Sequence, residues 1–211
     1  MLAAAPSAAA LEWRWLGRAD YRPVLDDQLA ERERVWAGAP GTIFLCEHPP
    51  VITLGRSANT ANILAADGVQ IERIERGGDV TYHGPGQLMV YPVVRVQHGV
   101  VEFLSRVAAA LADACAALGA PGAEFHRDPA GIYYGDNKVG ACGIHIARGV
   151  SVHGFALDVA TPPDAWRKIR PCGLSLPQTS VVRELEARGL PAVSVEQVAR
   201  EAGPRLVAAL L

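Results

Sequence analysis

The sequence is short of lysine: of twenty basic side chains only Lys138 and Lys168 are lysine, and the rest are arginine. It has no run of the roughly 18 apolar residues that a membrane-crossing helix needs, which argues against a membrane partner or a helical membrane protein. A net charge of −2 leaves no basic field to hold nucleic acid or an anionic lipid surface. No GxxxxGK[ST] or GxGxxG phosphate loop is present, which argues against an ATP-using enzyme. The four cysteines show no paired zinc-ribbon spacing, so free thiols in a reducing cytoplasm are expected. The six histidines include no i, i+4 pair, and neither a metal nor a cofactor is expected. Residues 1–10 carry no lysine or arginine and no strongly apolar block. They lack the marks of a signal peptide and are expected to form a disordered tail ahead of a single domain, residues 11–211.

Within that domain, residues 24–36 place Leu25, Leu29 and Trp36 on one helical face. Residues 42–46 and 51–54 are β-branched runs joined by Glu47-His48-Pro49-Pro50 and are expected to form a hairpin. Residues 88–94 read as a strand, edge or bulged because Pro92 lacks a donor. A helix is expected over 101–118, ended by Gly119 and Pro121. Residues 131–134, 139–146 and 150–159, separated by turn-forming residues, read as an antiparallel meander. Short helices near 164–169 and 181–188 precede a last one from Ser194, where Gln197 completes a capping-box pattern. Strands and helices in no βαβ alternation predict an α+β fold: one mixed, mostly antiparallel sheet flanked by helices.

Three segments carry candidate chemistry. Residues 76–87 crowd four glycines with Arg76, Tyr82 and His83 into what reads as a loop. Its backbone can approach a ligand closely, and Arg76 is a candidate for binding an anion or carboxyl group. The second segment sets Lys138 at the entry of a glycine-rich apolar strand. A lysine can lose its proton near neutral pH when desolvated and an arginine cannot, which makes Lys138 a candidate base; its survival can equally be compositional chance. The third holds Cys172 in a tight Pro171-Cys172-Gly173 turn, in contrast to Cys46 and Cys115 within apolar segments. A cysteine acts as a nucleophile only as the thiolate, so a neighbouring amine that takes the proton would activate it. Lys168 is the rival for that role, set among Trp166, Arg167 and Arg170 on an expected exposed helix face. His153-Gly154-Phe155-Ala156 suits either a pocket wall or a core histidine.

Taken together, Glu47-His48-Pro49-Pro50-Val51, Leu54-Gly55-Arg56, residues 76–87, Lys138 before the glycine strand, His153-Gly154-Phe155-Ala156-Leu157 and Pro171-Cys172-Gly173 resemble the octanoyltransferases of protein lipoylation, over about residues 20–182. The resemblance implies a biotin/lipoate protein ligase-like fold. It also implies transfer of an octanoyl or lipoyl group from acyl carrier protein to Cys172, and then to a lysine of lipoyl domains. The acceptors would be those of 2-oxoacid dehydrogenase E2 subunits and the glycine cleavage H protein. Lys138 would activate the thiol. The acyl-binding positions would be Arg76, Gly77, Gly78, Asp79, Val80, Thr81, Tyr82 and His83, then Ala141, Cys142 and Gly143, then Gly154, Phe155 and Ala156. Two positions depart from the family pattern: Asp158 stands where asparagine is usual, and Cys142 where an aliphatic residue is common. Cys142, inside a strand, is expected to be buried and not to be the nucleophile.

Chemistry agrees with the resemblance. Thioester exchange onto a thiolate is nearly isoenergetic, and amide formation from a thioester is downhill once the acceptor ammonium loses its proton. One neutral amine can serve both steps. An ATP-dependent lipoate or biotin ligase, a non-catalytic acyl-binding module and a thioesterase are the competing readings. The cysteine turn favours transfer over ligation. Arg56, Arg76 and Arg148 are candidates for a surface patch that docks an acidic carrier protein.

Overall fold

In the computed structural model, residues 10–66, 68–170 and 176–211 are described. The expected tail therefore lies outside the described residues except for Ala10, and so does the Pro171-Cys172-Gly173 turn. The described chain runs β1 (Glu12–Arg18), α1 (Tyr21–Trp36), β2 (Thr42–Glu47), β3 (Val51–Leu54), β4 (Gln70–Arg73), β5 (Val80–His83), β6 (Gln87–Val93), α2 (Val100–Ala117), β7 (Ala123–Arg127), β8 (Ala130–Tyr134), β9 (Asn137–Ala147), β10 (Val150–Asp158), a 3-10 helix (Pro163–Lys168), α3 (Val181–Glu186) and α4 (Val195–Leu210). A seven-stranded sheet has the order β1-β2-β6-β10-β9-β8-β7, and a three-stranded sheet the order β4-β3-β5. The pairs β1–β2 and β3–β4 are parallel and the others antiparallel, the mixed α+β arrangement expected.

One face of the large sheet is sealed by α2 and α4, whose Phe103, Val107, Leu111, Val198 and Leu206 meet Leu45, Leu88, Val90, Phe155 and Leu157 in the main core. The other face takes α1 over Phe44, Met89, Tyr91 and Ala156. Ser194 caps α4 with Gln197 in the expected reciprocal box. The buried face of α1 is wider and more polar than the sequence pattern suggests. Tyr21, Val24, Leu25, Gln28, Glu31 and Val35 are buried, while Leu29 and Trp36 lie at the margins. Gln28 Oε1 accepts from His153 N (2.9 Å), leaving its buried Nε2 without a partner among the described residues, and Glu31 Oε1 accepts from Thr42 Oγ1 (3.0 Å).

Two expectations are corrected. The runs 42–46 and 51–54 are not a hairpin, because β2 belongs to the large sheet and β3 to the small one. Every residue of both strands is buried; neither shows the alternation of a half-exposed hairpin, and the Pro49-Pro50 corner carries the chain between sheets. β6 is not an edge strand but lies between β2 and β10. The donor that Pro92 lacks falls where the β6–β10 ladder is interrupted, since pairing ends at Phe155–Val90; beyond it Ser151 Oγ donates to Pro92 O (2.6 Å) and accepts from Val94 N (3.3 Å). β10 then bends at His153, whose φ is +61°. Strands β1, β4 and β7 escape notice in the sequence because none contains a fully buried residue, so no apolar run marks them.

Gly203 of α4 faces Trp13 of β1, and a methyl there would come within 2.3 Å of the indole. Such overpacking costs about 1–3 kcal/mol, more than the roughly 1 kcal/mol by which alanine outranks glycine in a helix. Gly203→Ala is therefore expected to lower Tm in a thermal melt; a rise would show that Trp13 yields.

Candidate active site

The cleft lies where the small sheet meets β9 and β10. The segment read from sequence as one glycine loop, 76–87, is two short loops around a strand, since β5 pairs with β3 from Val51–His83 to Leu54–Val80. Gly77 N donates to Ile144 O (3.1 Å), stitching the first loop to β9. Gly78, at φ +86°, lets the chain turn back toward β5. Asp79 braces the outer wall, accepting from Asn59 N (2.7 Å) and Asn62 Nδ2 (2.6 Å).

The cleft is bordered by Arg76, Gly77, Gly78, Asp79, Val80, Thr81, His83, Lys138, Ala141, Cys142, Gly143, Gly154, Phe155 and Ala156. Three distant stretches of sequence thus meet in one place. Tyr82 does not join them: its ring packs into the core of the small sheet with Ile52, Val80 and Ile169 and meets Trp166 edge-on at 6.4 Å. Tyr21, Met89, Tyr91, Asp158, Trp166 and Gln178 also line the cleft. Tyr21, Met89 and Tyr91 are core-like in their local sequence, and only the pairing of remote elements reveals their position. The cavity measures about 90 Å³ and is walled mainly by small and apolar side chains. Gly154 is needed there because a Cβ would stand 2.0 Å from Val90 O.

Lys138 owes its place to a bulge. Gly140 pairs with Ile132 and Lys138 with Tyr133, so Val139 of β9 has no counterpart on β8. The extra residue reverses the alternation: Val139 enters the main core, and Lys138 borders the cleft instead of sharing a face with Cys142. Lys138 Nζ donates to Ala130 O (3.2 Å) and lies 5.6 Å from the centroid of the Tyr133 ring. Gly131 makes room for it, since a Cβ there would come within 2.7 Å of Lys138 Cε. Lys138 N donates to Pro177 O (2.8 Å) and Thr179 N to Lys138 O (2.9 Å), fixing the chain just beyond residues 171–175. Among the described residues lining the cleft, Lys138 is the one lysine. Lys168 ends the 3-10 helix, half-exposed, its carbonyl accepting from Leu64 N and Ala65 N. Cys142 is half-buried rather than buried, and its side chain packs against the helix-covered core.

Arg76, expected to meet an anion, is 7% exposed and turns inward. Its Nε and Nη2 donate to Thr53 Oγ1 (3.2 and 3.0 Å), Nη2 to Thr53 O (2.8 Å) and Nη1 to Gly77 O (2.9 Å). It therefore leaves the proposed surface patch, whereas Arg56 and Arg148 are exposed, Arg148 lying over the Trp36 ring at 4.4 Å. From Thr53 the network continues to His83 Nε2 (3.3 Å). His83 Nδ1 donates to Gln87 Oε1 (2.8 Å), and Gln87 Nε2 donates to Asp158 Oδ1 (3.0 Å), which also accepts from Thr161 Oγ1 (2.7 Å). Burial pushes His83 down to about 3 despite its bond to Gln87, so it is neutral. Burial, reinforced by Arg76, likewise lowers His153 to about 3. Burial raises Asp158 to about 7, opposed by the bonds from Gln87 and Thr161 and by the charge of Lys138. Among the described residues no group of three or more His, Cys, Asp and Glu is placed to hold a metal ion.

Because burial disfavours the carboxylate, folding with Asp158 ionised carries a penalty. It is absent below pH 3.8, grows as pH rises to about 7 and is constant above that. Asp158→Asn is therefore expected to gain stability over the parent protein between those limits, by at most about 1.4 kcal/mol per pH unit. Urea denaturation at pH 5 and pH 8 checks this, the larger gain falling at pH 8.

Comparison with known proteins agrees with this geometry. The lipoyl protein ligase A/B catalytic domain family matches residues 24–203. The octanoyltransferase of Deinococcus radiodurans is 41% identical over 199 residues, covering 86% of this chain and 59% of its own length. The octanoyltransferase of Acidobacterium capsulatum is 38% identical over 210 residues, covering 89% and 85%. That of Solibacter usitatus is 41% identical over 181 residues, covering 80% of each. Among solved structures, a putative lipoate protein ligase from T. acidophilum with bound lipoic acid superposes with a TM-score of 0.71 at 15% identity, covering 96% of this chain and 85% of that one. The biotin protein ligase of Aquifex aeolicus gives 0.53 at 12% identity, covering 94% and 70%. These structures share the fold. With a sheet, a cleft and a sequence match that all point the same way, the chain belongs to the octanoyltransferase family, built on the lipoyl protein ligase A/B catalytic domain.

Proposed function

We propose that this acyltransferase takes its octanoyl group from an acyl carrier protein thioester, holds it on Cys172 and passes it to a lysine of a lipoyl domain, and that Lys138 moves the protons. The observation that carries the reading is the position of Lys138. It is the one lysine among the described residues of a mainly apolar cleft, and its backbone is bonded to residues 177 and 179, which closely follow Cys172 in the chain. Cys172 itself lies outside the described residues.

In the first step the Cys172 thiol gives its proton to Lys138 and the thiolate attacks the carrier thioester. The carbon–sulfur bond to the carrier breaks, and the departing thiolate recovers the proton. In the second step the incoming lysine gives one ammonium proton to Lys138 and attacks the acyl carbon of the Cys172 thioester; the amide bond forms as the carbon–sulfur bond breaks, and the second amine proton passes to the departing Cys172 thiolate. Arginine, with a pKa above about 12, serves neither transfer. The apolar walls at Val80, Ala141, Phe155 and Ala156 suit a saturated chain, and the glycines at 77, 78, 143 and 154 keep the passage narrow and the backbone close. The acceptors would be lipoyl domains of 2-oxoacid dehydrogenase E2 subunits and the glycine cleavage H protein. A T. acidophilum lipoate protein ligase of this fold has been studied with its E2 lipoyl domain.

Incubation with octanoyl carrier protein, without ATP, should add one octanoyl mass to the intact protein. The adduct should persist in Cys142→Ala and vanish in Cys172→Ala; the opposite pattern sinks the assignment. Lys138→Arg is expected to reduce transfer to an apo lipoyl domain by about 100-fold or more, with Lys168→Arg within about twofold of the parent. Activity that requires free octanoate and ATP would instead identify a ligase.

A further inference from the structure

The backbone of Lys138 is fixed on two sides, by its pairing with Tyr133 of β8 and by its bonds to residues 177 and 179. Its amine, however, sits at the end of a flexible four-carbon stem. Where Nζ rests is therefore decided by the surface under that stem, which β7, β8 and β9 build together. Ile132, Tyr134 and Val139 turn toward the main core, and the opposite face carries Tyr133, Lys138 and, between them, Gly131. A Cβ on Gly131 would stand 2.7 Å from Lys138 Cε and 3.1 Å from Tyr133 Cε2, so the stem and the ring edge share the space that the glycine leaves. Nζ lies over the Tyr133 ring, 5.6 Å from its centroid.

The ring is itself held. Tyr133 is 4% exposed and its hydroxyl donates to Pro129 O (2.9 Å). His126, which pairs with Gly131 from β7, stacks on the ring with 4.6 Å between centroids and 12° between planes. The carbonyl that follows Pro129 O in the chain, Ala130 O, is the acceptor of the Nζ bond (3.2 Å). Tyr133 thus reaches the amine by two routes, directly through its ring and indirectly through the Pro129 to Ala130 backbone that its hydroxyl ties down.

We propose that Tyr133 is a positioning residue for the transfer: its ring, braced by His126 and by the bond to Pro129, is the shelf that holds Lys138 Nζ at the cleft.

The inference rests on the proton-transfer role given to Lys138 above. An amine that takes a proton from one group and passes it to another has to stay within hydrogen-bond reach of both, and a misplacement of about 1 Å can cost about 100-fold in rate. The face of an aromatic ring attracts a cation yet takes up none of its donors in a conventional hydrogen bond, so the ammonium is restrained without being diverted from the reacting groups.

The chain has only two lysines, so protein labelled with 13C at lysine Cε gives two side-chain signals, assigned with Lys168→Arg. In the parent protein the Lys138 Hε protons are expected upfield of those of Lys168, shifted by the ring current of Tyr133, with a nuclear Overhauser contact to its ring protons. In Tyr133→Leu that shift should vanish while the Lys168 signal stays in place. Octanoyl transfer from the carrier to an apo lipoyl domain should lose about 10-fold or more in kcat, with KM for the octanoyl carrier within about twofold of the parent. Tyr133→Phe keeps the ring and should recover the shift and most of kcat. Absence of the shift and of the contact in the parent protein overturns the proposal, as does a folded Tyr133→Leu with parental kcat or a loss confined to KM. If Tyr133→Leu does not fold, the parent contact and Tyr133→Phe decide, and a Phe variant as impaired as Lys138→Arg overturns the shelf. Full transfer by Lys138→Arg would instead refute the proton-transfer reading, a result separate from where the ring holds the amine.

Discussion

A single buried cation ties the molecule together. Arg76 is withdrawn from solvent between the two sheets, and a guanidinium so placed is tolerable only if its donors are satisfied. It gives them to Thr53 on the small sheet and to Gly77, whose own amide is bonded to Ile144 on the large sheet. That seam joins the small sheet to β9 at the edge of the cleft, alongside the packing of Tyr21 and Leu25 of α1 on Val51 and Ile74. The same charge reinforces burial in keeping His83 and His153 neutral, so a wall that contains two histidines stays uncharged toward an apolar guest.

From Arg76 the polar network passes through Thr53, His83 and Gln87 to Asp158, crossing from the small sheet to the centre of the large one. Buried networks of this kind add specificity more than stability, because each member is costly unless all are satisfied. Arg76, His83 and Asp158 of this network border the cleft with Lys138, so the bonds that join the two sheets also shape the site.

Much of this was legible in the sequence. The meander 131–159, the amphipathic helices and the capping box at Ser194 follow from local periodicity, and the structure contains them. Three kinds of feature were not. The separation of β2 from β3 depends on which sheet each fully buried strand joins, and burial on both faces erases the alternation that would have shown it. Pro92 gave a local argument for an edge or bulged strand, and only the partner strand shows that β6 is central with its ladder to β10 ending before the proline. Arg76 in a glycine-rich loop looks like an anion hook, and only the placement of Thr53 shows that it faces inward. Of the site, Lys138 stood out by its chemistry, but the bulge that aims it depends on one unmatched residue, Val139. Tyr21, Met89 and Tyr91 gave no sign at all, since each reads as ordinary core.

The scarcity of lysine takes on a meaning once both lysines are located. In the transfer proposed above, the protein holds an activated acyl thioester and is at risk from its own amines, which would capture the acyl group in an unproductive amide. Here one lysine side chain lies in the cleft and the other sits half-exposed on the 3-10 helix outside the described cleft wall, while the remaining basic charges are guanidiniums, which stay protonated and do not attack thioesters. With nearly all basic side chains guanidiniums, few side-chain amines compete with the acceptor of the proposed transfer.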